Sequence, residues 1–306
     1  MLLRNYLNYS GSKDRVYPIL RTYLEKAVGR SHNKILIDMF TGSGVVAFNS
    51  LDLFKSTICV DKCNELVRLH NWVLYTPVDK LLEQIDGMIS QYNLSKDNKD
   101  GFLTLRAKYN EFVNENGFDP CMLYCLIMHA YNYQLHTNKK GEFNVPSGAG
   151  RSWFNPSIRQ KLISMKNHIS EHIKCTNGKY DKQLIFTGGD CMDFVRCLNY
   201  ENKFKDVVFY ADPPYSASIS KHPYRVGNVK WDEDEDRKLF DCLDFIHKNS
   251  GKFILSNVTS NNGIQNVPLQ RWAGKYNLNP IEVQYTNCSY QRKNNGKTEE
   301  VIITNF

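Results

Sequence analysis

The chain has 306 residues, 42% of them apolar and 12% aromatic, which is enough for a packed core and excludes a wholly disordered polypeptide. No stretch reaches the roughly 18 apolar residues that a membrane helix needs, and residues 1–12 lack the basic-then-apolar plan of a signal peptide, so a soluble, cytoplasmic chain with no membrane partner is expected. Nine cysteines without Cys-x-x-Cys spacing exclude a secreted disulfide scaffold, and a net charge of +7 permits a polyanionic partner without requiring one.

Residues 34–39 form a short apolar run bounded by polar residues and predict a buried strand. A glycine turn follows at Gly42 to Gly44, then helical character over 45–54 and a second strand over 57–60, ending at Asp61. Strand, turn, helix and strand in this order open a doubly wound parallel sheet. Glycines at the end of the first strand let backbone come close to a ligand. The Gly-x-Gly-x-x-Gly pattern of a pyrophosphate-binding turn is incomplete, because Ala47 stands at its third glycine. Asp38, directly before the turn, suits a cationic ammonium better than a phosphate. S-adenosylmethionine carries an ammonium and a sulfonium, and Asp61 is placed to accept hydrogen bonds from ribose hydroxyls.

Between residues 72 and 182 the pattern becomes mainly helical. Segments 79–92, 102–114 and 120–133 carry apolar residues at helical spacing, separated by polar clusters such as 95–101. Segment 141–150 reads as a loop or hairpin, and 155–173 as a helix with Pro156 in its first turn. From His136 to Lys174 there are seven basic residues (Lys139, Lys140, Arg151, Arg159, Lys161, Lys166 and Lys174) against Glu142 and Glu171 only, with Phe143, Trp153 and Phe154 interleaved. That composition fits a surface that grips phosphates; a solvated basic face is the alternative. The pairs Cys59/Cys63 and Cys121/Cys125 lack a partnering His pair and read as small buried thiols. His129 and His136 read as structural or phosphate-facing.

Strand signals return at 183–187, 206–210, 252–256, 281–285 and 301–305, alternating with helical segments at 193–198 and 233–248. The expected architecture is one α/β domain built from residues 1–71 and 183–306, interrupted by a helical insert over 72–182. The acidic run Asp232-Glu233-Asp234-Glu235-Asp236 is expected to decorate a helix N-terminus, where negative charge is favoured.

After the strand over 206–210 comes Asp212-Pro213-Pro214-Tyr215. Two consecutive prolines fix φ and cannot donate hydrogen bonds, so this loop presents carbonyls and the Asp212 carboxylate as acceptors. An exocyclic amine offers two N–H donors, which Asp212 and the Pro213 carbonyl can accept together. That steers the nitrogen lone pair out of the ring's conjugation. Tyr215 supplies a flat face for stacking, worth roughly 1–3 kcal/mol.

The segment Phe40-Thr41-Gly42-Ser43-Gly44, taken with Asp212-Pro213-Pro214-Tyr215, resembles the signature pair of amino-methyltransferases. Tyr9-Ser10-Gly11-Ser12-Lys13, the stretch from Asn138 to Pro146, Phe253 to Asn257 and Glu299 to Asn305 are similar, in order, to motifs of the Dam-like, D12-class DNA adenine methyltransferases. The resemblance implies a Rossmann-like class I methyltransferase domain with an inserted, mainly helical target-recognition domain. It also implies methyl transfer from S-adenosylmethionine to N6 of adenine in double-stranded DNA, leaving S-adenosylhomocysteine. By the same resemblance Tyr9, Ser10, Lys13, Asp38, Phe40, Thr41, Gly42, Ser43 and Gly44 line the methionine end of the cofactor. Asp61 holds the ribose, Asp190 with Cys191 the cofactor's adenine, and Asp212, Pro213 and Tyr215 the target base. From the local excess of basic charge, Lys139, Lys140 and Arg151, with Asn144 between them, are expected to face DNA. The match of the Asn138 to Pro146 stretch fades after Gly148, where GATC-reading members continue differently, so a GATC target is not implied.

A base in a duplex has to be flipped out before its amine can be reached. Displacement at a sulfonium needs no metal and no covalent enzyme intermediate. Cytosine-N4 methylation follows the same logic, although Ser-Pro-Pro-Tyr is commoner there. A DNA-binding protein with a vestigial cofactor site is a third reading, against which Asp212 and Gly42 both stand. A monomer or weak dimer is expected.

Overall fold

The computed structural model describes residues 2–7, 12–31, 33–176, 179–198, 203–215, 231–261, 263–282 and 298–306. In chain order the elements begin with α1 (Tyr17–Val28), β1 (Ile35–Asp38), α2 (Val45–Asn49), β2 (Ser56–Asp61) and α3 (Asn64–Tyr75). The helical segment follows as α4 (Val78–Gln91), α5 (Lys99–Asn116), α6 (Pro120–His129) and α7 (Pro156–His172). A short hairpin, β3 (Cys175–Thr176) and β4 (Lys179–Tyr180), leads back to β5 (Gln183–Gly188), α8 (Cys191–Cys197) and β6 (Val207–Ala211). The chain closes with α9 (Glu233–Lys248), β7 (Lys252–Asn261), β8 (Ile264–Gln265), α10 (Val267–Ala273), β9 (Asn277–Ile281) and β10 (Glu299–Thr304).

The main sheet runs β5-β2-β1-β6-β7-β10-β9, with β8 on β7. Neighbours from β5 to β7 are parallel, and β10 is antiparallel to both β7 and β9. Both faces of β6 are covered, so all five of its residues are buried and it reads as a continuous apolar run. Val207 and Phe209 point into a cluster with Leu239, Leu243 and Ile246 of α9, while Val208 and Tyr210 meet Leu20 and Leu24 of α1. The sheet is therefore sandwiched between helical layers, the doubly wound arrangement expected from the alternation of strands and helices.

Helix starts follow local capping chemistry. Asn98, Asp119 and Asn155 accept from the backbone N–H of Gly101, Met122 and Ile158, at 3.1, 2.8 and 3.0 Å. Asp232 caps α9 in the same way, and Glu233, Asp234, Glu235 and Asp236 fill its first turn. The acidic run is thus a helix start, as its sequence suggests.

The helical segment has no core separate from the sheet. One apolar cluster joins Leu81, Leu105, Leu126 and Leu162 to Phe48, Leu66, Leu69, Leu184 and Phe186. The boundary expected at residue 72 falls inside α3, a single helix over Asn64–Tyr75. Lys166 of α7 is buried and donates to the carbonyls of Val73 and Leu74, at 2.8 and 2.9 Å, at the last turn of α3. His168 of α7 reaches the Phe48 carbonyl of α2 at 3.1 Å. So α7 braces the sheet domain, although it lies within the expected insert.

Three elements differ from their sequence patterns. The helix expected over 120–133 ends at His129, where Ala130 turns extended (φ −80°, ψ 158°). The helix expected over 45–54 ends at Asn49, because the Asn49 amide turns to pair with the Leu3 backbone (N–H to Oδ1 2.8 Å, Nδ2 to carbonyl 3.0 Å). The strand expected over 281–285 is found as Asn277–Ile281, and residues 283–285 lie outside the described part. Its polar sequence with Pro280 suits a sheet edge, where a missing N–H is tolerated. Among the described residues, no helix is long and apolar enough to cross a membrane.

Candidate active site

Strands β5, β2, β1 and β6 are parallel neighbours, so their carboxyl ends share one edge. Asp38 is opposite Cys59 of β2 and Tyr210 of β6, and Asp61 is opposite Gly188 of β5. One carboxylate therefore ends or follows each strand: Asp190 after β5, Asp61 on β2, Asp38 on β1 and Asp212 after β6. Chain order reverses between β1 and β6, and such a switch point opens a crevice for ligands.

The loop after β1 is held tightly against β2. The Thr41 N–H and hydroxyl both reach the Val60 carbonyl at 3.1 Å, and the Gly44 N–H reaches the Thr41 carbonyl at 2.8 Å. Gly42 and Gly44 have φ of 50° and 73°, which only glycine adopts freely. A Cβ on Gly44 would also lie 2.6 Å from the Phe48 ring. The Gly42 N–H donates to Asp61 Oδ2 at 2.9 Å, and the Cys63 N–H donates to Asp61 Oδ1 at 2.8 Å. Burial pushes the Asp61 carboxyl up, and these two N–H groups restrain the rise. Asp61 keeps lone pairs for a further donor while it braces the turn.

Sequence reasoning overlooked the residue that completes this loop. His70 of α3 is buried; its Nε2 lies 2.8 Å from the Gly42 carbonyl and its Nδ1 2.8 Å from the Tyr6 hydroxyl. A carbonyl only accepts, so Nε2 carries the proton and Nδ1 accepts from Tyr6. The ring stacks on Phe186 with centroids 4.7 Å apart, and burial pushes its pKa down to about 4. The signal in the sequence was a histidine on the apolar Leu66–Leu69–Val73 face of an amphipathic helix. Its partners come from residues 28 and 64 positions away, which no local pattern shows.

Asp38 is fully buried, and among the described residues its Oδ1 has no hydrogen-bond partner. Its carboxyl is pushed up to about 8, first by burial and then by the nearby Asp212 and Asp61 carboxylates. An acceptor left unsatisfied in a dry site is costly, so the arrangement fits a cationic or donor ligand at this point. Phe40 meets Trp231 edge-on at 5.3 Å, and Ser43 is 3.4 Å from the Ser12 hydroxyl. Tyr9 and Ser10 lie outside the described residues.

Asp190 caps α8, accepting from the Met192 and Asp193 N–H groups, and its other oxygen is 2.7 Å from Lys62 Nζ. Burial would raise its pKa, but Lys62 and the Met192 N–H outweigh it and hold the carboxyl low. Lys62, a second residue sequence reading passed over, also pairs with Glu235 at 3.1 Å. Cys191 is buried in the first turn of α8.

In the corner after β6, Pro213 is buried and Asp212 forms an ion pair with Lys13 (2.7 Å). Lys13 Nζ is also 3.1 Å from the Tyr215 hydroxyl. Burial opposes the Lys13 charge, but Asp212, Tyr215 and Tyr210 hold its pKa well above the ordinary range. Lys13, expected at the methionine end of a cofactor, thus shares a corner with the residues expected to hold the base.

The stretch expected to face DNA is a hairpin, bridged at Ala130 with Ser147 and at Thr137 with Phe143. Asn110 of α5 pairs with both backbone groups of Phe143, at 2.8 and 3.1 Å, which docks the hairpin on the helical segment. Lys139, Lys140, Asn144 and Arg151 are exposed, and Asn144 is tied to His136 at 2.6 Å. Of the seven basic residues counted in this region, Lys166 is buried as described and Arg159 pairs with Asp86. The phosphate-facing charge is smaller than the composition suggests. His129 is buried on the Cys125 carbonyl, and Cys59, Cys63, Cys121 and Cys125 are buried free thiols.

A profile of D12 class N6 adenine-specific DNA methyltransferases matches residues 9–287, and the chain belongs to that family. It is 30% identical to the type II methyltransferase M.FokI of Planomicrobium okeanokoites, covering 99% of this chain and 43% of that protein. The modification methylase StsI of Streptococcus sanguinis is 29% identical, again over 99% of this chain and 43% of its own length. The type II methyltransferase M.MjaIII of Methanocaldococcus jannaschii is 26% identical over 84% of this chain and 85% of its own. The chain thus spans less than half the length of the first two relatives.

Removing the His70 ring leaves the Tyr6 hydroxyl and the Gly42 carbonyl unpaired in a dry site. His70→Ala should lower stability by about 2–4 kcal/mol, read from the urea midpoint. The folded-state pKa lies below the ordinary 6.5, so the stability tied to the neutral ring is present above pH 6.5 and is lost as pH falls toward 4. In His70→Gln that part of the pH slope should disappear.

Proposed function

We propose that this D12-class chain transfers a methyl group from S-adenosylmethionine to N6 of an adenine flipped out of duplex DNA. The observation that carries the reading is the pairing of a half-buried carboxylate, Asp212, with a buried one, Asp38, at the switch point. Asp212 follows β6 in a loop whose prolines cannot donate, and Asp38 on neighbouring β1 has an oxygen unpartnered among the described residues. The first suits an amine to be methylated and the second a cationic ligand.

The residues fit this cofactor. Asp38 would take its ammonium, Asp61 the ribose hydroxyls, and Asp190 the adenine amine, with Lys62 orienting Asp190. Phe40, Thr41, Ser43 and the glycines of the turn would close around the methionine end. When bound, S-adenosylmethionine supplies an electrophilic methyl group. The rest is done by this chain's own groups: Asp212 and the Pro213 carbonyl accept the two N–H bonds of the target amine, and Tyr215 stacks on the base. In the free protein the Lys13 ammonium already occupies Asp212. The incoming amine therefore shares that carboxylate with Lys13 or displaces it. The nitrogen loses its proton after it has become cationic, so no strong general base is required.

DNA reading falls to the helical segment and its hairpin within residues 72–182. Exposed Lys139, Lys140 and Arg151 are suited to phosphates, and Asn144 to base or backbone edges.

Asp212→Ala should reduce N6-methyladenine formation on duplex DNA by at least about 10²-fold while S-adenosylmethionine still binds in a calorimeter. Activity near that of the parent would overturn the mechanism. Neutralising Lys139, Lys140 and Arg151 together should weaken DNA binding and flatten the plot of log affinity against log salt by up to about three charges. An unchanged slope would move the phosphate contacts elsewhere.

A third expectation concerns pH. The free Asp38 carboxyl, with a pKa of about 8, is mostly protonated at neutral pH, whereas an ammonium partner requires the carboxylate. Cofactor binding should then release a proton below pH 8, and affinity should climb with pH and level off above it. Calorimetry in buffers of different ionisation enthalpy reads that proton; it should vanish in Asp38→Asn.

A further inference from the structure

The last two turns of α7 carry a cluster that methyl transfer does not use. His168, Glu171 and His172 each offer one ligand atom, and these atoms all lie within 4.8 Å of one another. The two imidazoles are one helical turn apart on the same face, with ring centroids separated by 4.0 Å. His-x-x-Glu-His is a spacing that zinc-binding helices use, because i and i+4 side chains converge.

The hydrogen bonds settle the protons. His168 Nε2 is 3.1 Å from the Phe48 carbonyl, and His172 Nδ1 is 3.0 Å from the His168 carbonyl. Carbonyls only accept, so both of those nitrogens are protonated, and His168 Nδ1 and His172 Nε2 keep their lone pairs. Metal-binding histidines are typically oriented in this way, with the second ring N–H donated to a carbonyl.

We propose that His168, Glu171 and His172 bind one divalent transition-metal ion, and that this ion fixes the His168 ring joining α7 to the end of α2. Two imidazole nitrogens and one carboxylate select ions of the zinc, nickel or copper class over magnesium or calcium, which prefer all-oxygen ligands. The site is independent of the methyl-transfer reading, because it rests on α7 and α2 geometry and not on Asp212 or the cofactor.

The test uses the untagged full chain stripped with EDTA. Titration with Ni²⁺ should show one ion bound per chain and a higher Tm. His172→Ala removes a ligand whose observed hydrogen bond stays within its own helix, so its Tm in EDTA should match the parent's. Its Ni²⁺ affinity should fall about tenfold or more, and Glu171→Gln should weaken binding by a smaller factor. Bound Cu²⁺ should show splitting from two nitrogens in its electron paramagnetic resonance spectrum. Equal Ni²⁺ affinity in the parent and His172→Ala would overturn the proposal. So would a parent Tm unmoved by Ni²⁺, or a Cu²⁺ spectrum with fewer than two nitrogens.

Discussion

The carboxyl edge of the sheet depends on how one residue, Gly42, is held. Gly42 donates its N–H to Asp61 and offers its carbonyl to His70, so β2 and α3 grip it from two sides. A left-handed conformation costs a residue with a side chain about 1–2 kcal/mol, and Gly42 and Gly44 avoid that cost. At Gly44 the Phe48 ring leaves no space for a Cβ in any case. The turn is therefore compact because hydrogen bonding, backbone conformation and packing all require it. Each constraint comes from a different part of the chain.

That turn brings like charges together. Asp38, Asp61, Asp190 and Asp212 end or follow four adjacent parallel strands, and burial alone would protonate several of them. Lys13 offsets Asp212, Lys62 offsets Asp190, and two backbone N–H groups offset Asp61. Among the described residues, Asp38 has a backbone N–H contact at Phe40 and an oxygen without a partner. A shift from 3.8 to about 8 corresponds to roughly 6 kcal/mol against its charged form. A bound cation would recover much of that energy, whereas an anion would add to it. The electrostatic balance of the edge therefore selects the sign of the ligand's charge, and it leaves the position for that charge at Asp38.

The helical segment is welded to the sheet and shares its apolar cluster through Phe48, Leu69 and Phe186. This explains why two basic residues of the stretch from His136 to Lys174 serve the fold. Lys166 satisfies the last carbonyls of α3, and Arg159 stays on Asp86. Lys139, Lys140 and Arg151 remain exposed on or just beyond the docked hairpin. Basic composition marked the region, and burial separated the residues that hold the fold together from those open to a polyanion.

Much of this was legible in the sequence, for local reasons. Apolar runs of period one or two announced β1, β2, β5, β6 and β7, and Asp232 announced the start of α9 through its own capping bonds. The glycine turn and Asp212-Pro213-Pro214-Tyr215 marked the edge because glycine and proline restrict backbone within a few residues. The early end of α2 was not legible, since it follows from Asn49 pairing with Leu3 far back in the chain. The polar strand β9 was not placed either, because its partner β10 lies beyond residues 283–297 in the sequence. By itself the sequence determined an α/β chain of the D12 family with acceptors at two strand ends. Tertiary structure alone decided that His70 clamps the glycine turn, that Lys13 rests on Asp212, and that Asp38 keeps an oxygen unpaired among the described residues. Hydrogen-bond partners dozens of residues apart, and the loss of water around them, exist only once the strands lie side by side.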